Sequence, residues 1–312
     1  MSEALLPDPV SVTVRAPAKI NVYLGVGKVR PDGFHPLETV YQAVSLYDDV
    51  TVTSADEWSV TTSVQGVHVD GTAVPDDDTN IALRAGKALV AHHRLDDRAA
   101  EIQISKSIPV AGGMAGGSAD AAATLVALDR LWSLGTSDEE LLAIGAELGS
   151  DVPFALVGGT ALGVGRGEVV SPLLDEATRW WVAVPAGAGL STPAVYRHFD
   201  ELWPEAPGDV TVPVGLTAAL QDPDSRSLAT MLHNDLEAVA IDLRPELGEL
   251  VEDGERAGAL RGIVSGSGPT CLFLCSDRGS ADRVRTTLVE AGHPRVLVAL
   301  GPVSGTHVVE YS

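Results

Sequence analysis

Basic residues are scarce in this sequence: of 312 residues, 21 are lysine or arginine and 43 are aspartate or glutamate, for a formal net charge of -22. Such a chain repels a phosphate backbone, and it has no basic patch or tail to bind one, so we expect no nucleic-acid partner. Residues 1–9 lack a basic n-region and an apolar h-region, and no apolar run is long enough to span a bilayer. These absences predict a cytoplasmic protein without a membrane partner.

Cysteine is almost absent as well. The chain has Cys271 and Cys275 only, in a β-rich run, and their spacing places them about 13 Å apart along one face of a strand. That gap is too wide for a disulfide. No His or Cys lies near enough in sequence to complete a metal-ligand pattern, so we interpret both as buried apolar residues of a protein in a reducing compartment.

Standard nucleotide-binding signatures are also missing. Neither G-x-x-x-x-G-K-[ST] nor G-x-G-x-x-G occurs, which excludes a Walker A loop, a Rossmann fingerprint and a protein-kinase glycine-rich loop. The chain has instead the stretch PVAGGMAGGSA at 109–119, between an alternating strand and an alanine-rich helix. We expect Ser118 to be the N-cap of that helix.

This glycine-rich stretch has the properties of an anion site. Backbone N–H groups at a helix N-terminus lack partners, and the helix dipole adds about half a positive charge there. Glycine lets the main chain approach a phosphate without Cβ atoms in the way. The alternative is a tight strand-to-helix turn without a ligand, which would require only one glycine. Four glycines followed by a serine favour phosphate binding.

Three shorter segments carry further polar residues. In a strand expected at 12–26, alternation places Lys19 and Asn21 on the face opposite the apolar residues, although a solvated lysine on an edge strand explains the pattern equally well. Asp151 follows a helix and precedes an apolar strand, where it could simply form an Asx turn. The segment VSGSGPT at 264–270 is a second glycine-rich turn.

Together these segments resemble the three sequence motifs of the GHMP kinases, named after galactokinase, homoserine kinase, mevalonate kinase and phosphomevalonate kinase. They occur in the family's order, as PAKIN at 17–21, PVAGGMAGGS at 109–118 and GSGP at 266–269, and the likeness covers essentially the whole chain. The resemblance implies an α+β fold of two α/β lobes with the active site in the cleft between them. We expect an N-terminal ATP-binding domain at 1–172 and a C-terminal domain at 173–312.

The resemblance also implies roles for single residues. Asp151 would accept the proton of the substrate hydroxyl, and Lys19 would keep that carboxylate ionised and orient the hydroxyl. ATP would be the co-substrate, with Mg²⁺ bridging its phosphate oxygens. Asn21 is expected on the substrate side, and Ser118 near the phosphates or Mg²⁺. The residues expected to bind ATP are Pro109, Val110, Ala111, Gly112, Gly113, Met114, Ala115, Gly116, Gly117, Ser118 and Ala119.

Within the family, the greatest likeness is to a kinase that phosphorylates the 2-hydroxyl of a cytidyl diphosphate sugar alcohol, on the non-mevalonate route to isoprenoid precursors. In that kinase's pattern, Phe34 and His35 would hold the cytosine, with Tyr196 on its opposite face. The segments that indicate this member are KIN at 19–21, RPDGFH at 30–35, GSDVP at 149–153, GRGE at 165–168 and HNDLE at 233–237.

Two alternatives stay open at this point: a GHMP kinase for another small alcohol, such as mevalonate or homoserine, and a non-catalytic nucleotide-binding protein of the same fold. Cytidine recognition by Phe34 and His35 distinguishes our interpretation from the first. The presence of both Lys19 and Asp151 argues against the second, because a binding protein needs no base beside the γ-phosphate. No motif indicates an oligomeric state.

Overall fold

The structure is a computed structural model that describes residues 10–64, 74–95, 97–110, 113–185 and 190–312, so Ala111 and Gly112 lie outside the described residues. The strands are β1 (Ser11–Val26), β2 (Leu37–Ala55), β3 (Ser59–Val64), β4 (Ala99–Lys106), β5 (Thr160–Gly165), β6 (Val169–Leu173), β7 (Arg179–Val184), β8 (His233–Asn234), β9 (Arg261–Val264), β10 (Cys271–Cys275), β11 (Leu297–Gly301) and β12 (His307–Tyr311). The helices are α1 (Ile81–His93), α2 (Gly116–Leu131), α3 (Asp138–Leu148), α4 (Val152–Val157), α5 (Thr192–Leu202), α6 (Val214–Gln221), α7 (Ser225–Ala229), α8 (Glu237–Leu243), α9 (Glu246–Arg256) and α10 (Arg278–Glu290).

The larger sheet is built around the long antiparallel pair β1 and β2. Its path is β12-β1-β2-β4-β3, while β5 extends the other end of β2 and β8 pairs in parallel with β1. Buried and partly exposed residues alternate at the start of β1, but from Ala16 to Val26 every residue is buried. That half of the strand is covered on both faces. The alternation of polar and apolar residues in its sequence therefore does not correspond to one solvent-exposed face.

Helix α2 packs on this sheet against β1 and β2, and α1 packs beside it. Its alanines, including Ala119, Ala122 and Ala123, are fully buried, which lets the helix axis lie close to the strands. The N-terminal end of α2 therefore lies next to the middle of β1, where the lysine of the first motif is.

The smaller sheet has the order β11-β7-β10-β9 and is packed against α9 and α10. Cys271 and Cys275 are both buried and unbonded in β10, and burial raises the pKa of each thiol to about 12. The interpretation of the two cysteines as buried apolar residues is confirmed.

The second half of the chain returns to the first sheet, because both β8 and β12 pair with β1. Side chains also join the sheets: the indole N–H of Trp181 on β7 donates to the side-chain oxygen of Gln42 on β2 at 2.7 Å. These connections hold the third motif, which follows β9, against the first. Within the described ranges no helix is both long and apolar enough to cross a membrane.

Two local expectations are wrong. The N-cap of α2 is Ala115, at φ 57°, and not Ser118, which lies in the first turn of the helix. Asp151 precedes the short helix α4 rather than a strand, and its side chain makes no capping hydrogen bond. In both cases packing decides the local structure, since Ala119 behind Ser118 and Phe154 behind Asp151 are fully buried.

Candidate active site

A cleft of about 730 Å³ brings residues of all three motifs together. Of the predicted site residues, those that line it are Lys19, Asn21, Phe34, His35, Pro109, Gly113, Met114, Ala115, Gly116, Gly117, Asp151 and Tyr196. Gly266 and Ser267 of the third motif complete the wall. Val110, Ser118 and Ala119 do not line the cleft; Ala119 is buried in the face of α2 that packs on the sheet.

Lys19 is buried in the middle of β1, so the alternative of a solvated edge lysine is wrong. Its Nζ donates to Asn21 Oδ1 at 2.8 Å and lies 3.8 Å from Asp151 Oδ2. The ammonium also lies over the ring of Tyr41, 5.1 Å from its centroid, in a cation–π contact. A buried lysine needs such partners, and here they direct its charge toward Asp151.

Asp151 contributes a carboxylate that the local structure leaves available. Because its side chain does not cap α4, and 31% of it is exposed, it can face the cleft and receive a proton from a bound hydroxyl. Pro153 and Phe154 are buried directly after it, which fixes the turn that presents it.

Tyr41 is a site residue that no sequence motif indicated. Tyr41 is the antiparallel partner of Asn21 in the β1–β2 register and lines the cleft. Burial, and then the charge and hydrogen bonding of Asp151, raise the pKa of the Tyr41 phenol well above its usual value. The phenol therefore stays protonated and can donate to the carboxylate. The β-branched and aromatic residues of TVY at 39–41 are typical of a strand, but they do not indicate that Tyr41 lies beside Asn21.

Asn21 is held by a chain of hydrogen bonds that orients its amide. Its Nδ2 donates to Thr39 Oγ1 at 2.8 Å, and the Thr39 hydroxyl donates to the Tyr23 carbonyl at 2.7 Å. With Nδ2 used in this way, Oδ1 is left to accept from Lys19. The amide thereby fixes the position of the ammonium beside Asp151.

The glycine-rich loop contacts both other motifs. The Lys19 backbone N–H donates to the Met114 carbonyl at 3.2 Å, which joins the loop to β1. Gly113 has φ 71°, a conformation that favours glycine, and a Cβ there would lie 2.9 Å from the Gly268 carbonyl oxygen. Glycine at 113 is thus required by backbone conformation and by close packing on the third motif.

Gly116 and Gly117 open α2 and differ in what surrounds them. A Cβ at Gly116 would lie 3.2 Å from Ile108 Cγ2 and 3.4 Å from Lys106 Nζ, inside the protein. A Cβ at Gly117 would make only an ordinary contact with Ile81 Cγ2, at 3.5 Å. Gly117 is exposed at the cleft, so its backbone and any new side chain meet whatever binds there.

The predicted cytosine site is a cluster of rings. The Nδ1–H of His35 donates to the Gly27 carbonyl at 2.8 Å, and the His35 ring lies 4.9 Å from the Tyr196 ring, centroid to centroid. His35 Nε2 is 3.6 Å from Asp200 Oδ2. Phe34 is half exposed at the cleft. The structure brings all three predicted residues to one end of the cleft.

Arg166 is a second site residue, and its role did not follow from the GRGE segment alone. Its guanidinium lies over the Phe34 ring, 4.9 Å from the centroid, and lines the cleft. Its Nε is 3.7 Å from Glu168 Oε1, and its backbone N–H donates to Glu168 Oε2 at 2.6 Å. The GRGE segment thus supplies a positive charge to the cleft, beside the Phe34 ring.

The HNDLE segment holds the third motif in place. The Asn234 amide donates to the carbonyls of Val264 and Gly266 at 2.7 and 2.8 Å, and the Val264 N–H donates to Glu237 Oε2 at 2.7 Å. A Cβ at Gly266 would approach Asn21 Oδ1 to 3.2 Å. The segment therefore fixes the third glycine-rich turn against Asn21.

Comparison with known proteins finds two family descriptions along the chain: GHMP kinases N terminal domain at 80–159 and GHMP kinases C terminal at 216–293. A protein of Nocardioides sp. named 4-diphosphocytidyl-2-C-methyl-D-erythritol kinase is 61% identical over 302 residues, 96% of this chain and 100% of its own length. The protein of the same name from Thermobifida fusca is 50% identical, over 96% of this chain and 99% of its own.

Solved structures agree with these relatives. The crystal structure of a 4-(cytidine 5'-diphospho)-2C-methyl-D-erythritol kinase has a TM-score of 0.73 and 30% identity, covering 93% of this chain and 99% of that chain. That of L. major mevalonate kinase in complex with R-mevalonate has a TM-score of 0.74 at 17% identity, covering 98% and 100%, a likeness of fold alone. The expected α+β fold is confirmed.

Proposed function

The chain belongs to the GHMP kinases and, among them, to the 4-diphosphocytidyl-2-C-methyl-D-erythritol kinases, and on this premise we propose how its own residues carry out the reaction. It is an ATP-dependent small-molecule kinase whose acceptor is the alcohol of that cytidyl diphosphate substrate. The transfer goes to the 2-hydroxyl, in non-mevalonate isoprenoid precursor synthesis. The observation that carries the proposal is the Lys19–Asp151 pair, 3.8 Å apart in the cleft that all three motifs line.

Asp151 acts as the base. It accepts the proton of the 2-hydroxyl as the oxygen attacks the γ-phosphorus of ATP, and the bond from that phosphorus to the ADP oxygen breaks. Lys19, held by Asn21 and by the Tyr41 ring, places its charge beside the hydroxyl and the transferred phosphoryl group. The Tyr41 phenol donates to Asp151 and orients the carboxylate.

The ATP phosphates lie over residues 109–119, at the N-terminal end of α2. The favourable dipole and the unpaired N–H groups of the first turn stabilise the triphosphate there. No group of three or more His, Cys, Asp or Glu side chains that could hold a metal exists in the described part of the chain. In kinases Mg²⁺ uses one or two protein oxygens together with the phosphates, and here the Ser118 hydroxyl, in the first turn of α2, and the Asp151 carboxylate would be those oxygens. When bound, the ion neutralises phosphate charge.

The ring cluster binds the cytidyl group. Phe34 and Tyr196 stack on the base, and His35, whose Nδ1 is engaged by Gly27, presents Nε2 to the polar edge of the cytosine. Arg166 lies over the Phe34 ring and lines the cleft, where its guanidinium suits the diphosphate of the substrate. Arg166 and Arg197 both line the cleft, so a chain of net charge -22 still offers the diphosphate a local positive partner.

We extend the proposal to organisation and location. The N-terminal domain at 1–172 binds ATP, and the domain at 173–312 completes the cleft and contributes Tyr196, with β8 and β12 returning to the first sheet. Cytoplasmic ATP and the two unbonded cysteines agree with a cytoplasmic enzyme.

The decisive experiment is incubation with ATP, Mg²⁺ and the cytidyl substrate, with phosphoryl transfer followed by ³¹P NMR. Asp151→Asn and Lys19→Met should each lower kcat at least about a hundredfold, the usual contribution of a general base, with little change in ATP affinity. Asp49→Asn, which affects a carboxylate paired with Arg15 at the surface, is the control and should retain full activity.

Mevalonate and homoserine at millimolar concentration should be phosphorylated negligibly by the unmodified protein. Near-normal turnover in Asp151→Asn would show that this carboxylate is not the base. Efficient turnover of mevalonate or homoserine would contradict the cytidyl substrate while leaving the kinase mechanism intact.

A further inference from the structure

A buried cluster of three charged side chains lies under the ATP-binding loop and has no part in the mechanism above. Lys106 Nζ donates to Asp48 Oδ2 and to Asp120 Oδ2, both at 2.6 Å. The three side chains are 3%, 0% and 4% exposed in the order Lys106, Asp48 and Asp120. One buried ammonium between two buried carboxylates is costly to desolvate, so stability alone is a weak explanation for this cluster.

The three residues come from the elements that frame the loop. Lys106 is the last residue of β4, immediately before the loop at 107–115, and Asp120 is the fifth residue of α2, which follows the loop. Asp48 on β2 also accepts the backbone N–H groups of Ser107 and Ile108 through Oδ1, at 2.7 and 2.9 Å. The cluster therefore holds both ends of the loop and its first two residues.

The ammonium also lies directly beneath the start of α2. A Cβ at Gly116 would stand 3.2 Å from Ile108 Cγ2, a tight contact, and 3.4 Å from Lys106 Nζ, an ordinary one. The start of α2 thus packs directly on Ile108 and Lys106. The N–H groups of the first helical turn take their position from this packing.

We propose that Lys106, with Asp48 and Asp120, is a positioning group for nucleotide binding. Its two ion pairs fix the end of β4 and the start of α2 in the spacing that directs the N–H groups of the first turn of α2 at the ATP phosphates. This inference rests on the proposed placement of ATP over residues 109–119. Charged hydrogen bonds to one buried donor fix geometry more tightly than the backbone of a glycine-rich loop does alone.

One carboxylate oxygen in the cluster supports a constrained geometry. Asp120 Oδ1 is buried without a hydrogen-bond partner, although Oδ2 is paired. Burial, with the adjacent Asp48 charge and against the opposing effect of Lys106, raises the pKa of Asp120 well above its usual value. The position of the Asp120 carboxyl group is therefore set by its hydrogen bond to Lys106 and not by contact with solvent.

Asp120→Ala tests the proposal, because it releases α2 while Lys106 stays paired with Asp48. We expect KM for ATP to rise about tenfold, and KM for the cytidyl substrate to stay within about twofold. Lys106→Met should act in the same direction and more strongly. The control is Asp175→Asn: Asp175 is equally buried and lies 3.9 Å from the buried Arg179, far from the loop in sequence. It should lower the melting temperature without changing either KM.

Three results can be distinguished. A lower melting temperature in Asp120→Ala with both KM values unchanged, as in the control, would overturn the proposal and leave a purely structural role. If Gly117→Asp also leaves KM for ATP unchanged, the placement of ATP over the loop is wrong instead. Should Lys106→Met fail to fold, Asp120→Ala decides alone, with ATP affinity measured by calorimetry on folded protein.

Discussion

Gly117→Asp gives a sharp test of the ATP site because it should separate folding from binding. Gly117 is exposed at the cleft in the first turn of α2, and a Cβ there meets only Ile81 Cγ2 at 3.5 Å. No acidic residue occupies that turn. An aspartate near a helix N-terminus is favourable by about 0.3–1 kcal/mol, and aspartate is a slightly better helix former than glycine. The variant should therefore fold at least as stably as the parent.

The same substitution should weaken nucleotide binding. A carboxylate within about 4 Å of one phosphate charge is repelled by roughly 1 kcal/mol in bulk water and by about 4 kcal/mol at an effective dielectric constant of 20. An intermediate value of about 2 kcal/mol corresponds to an ATP dissociation constant raised roughly thirtyfold. The effect should decrease as salt increases, since the charges are partly exposed to solvent.

Calorimetric titration with ATP, beside thermal unfolding of each variant, measures both effects. Gly117→Asn is the matched control, with the same shape and no charge, and Gly117→Ala reports the effect of the Cβ alone. Both controls should bind ATP within a few fold of the parent protein. If Gly117→Asp binds ATP as tightly as Gly117→Asn does, the triphosphate does not lie at the start of α2.

Two further predictions concern the substrate and the base. Phe34→Ala should raise KM for the cytidyl substrate through the loss of about 1–3 kcal/mol of stacking, with KM for ATP nearly unchanged. His35→Ala should act the same way. Equal rises in KM for the cytidyl substrate and KM for ATP would contradict a cytosine site. Because burial and Asp151 raise the pKa of Tyr41 well above 10, this phenol is neutral across the working range. Its ionisation should therefore cause no loss of kcat between pH 7 and 10. Tyr41→Phe should lower kcat several-fold and leave the pH dependence of kcat unchanged over that range. A fall in kcat at high pH that disappears in Tyr41→Phe would contradict this.

The local sequence determined the chemistry of the protein. Lys19, Asp151 and the two glycine-rich segments could be recognised because each motif is short and contiguous, and its order along the chain identifies the family. Burial of Cys271 and Cys275 also followed from a local apolar run. Such features depend on neighbours within a few residues, which the sequence shows directly.

The tertiary structure decided what surrounds those residues. Lys19 is buried because α2 and the loop cover the middle of β1, which alternation within one strand cannot reveal. Tyr41 reaches Asp151 through strand register, and Lys106 meets Asp48 across 58 positions of the sequence. Local sequence suggested a cap at Ser118, but packing beneath Gly116 placed the start of α2 elsewhere. Register and helix placement minimise the free energy of the whole core, so they depend on residues far apart in the chain.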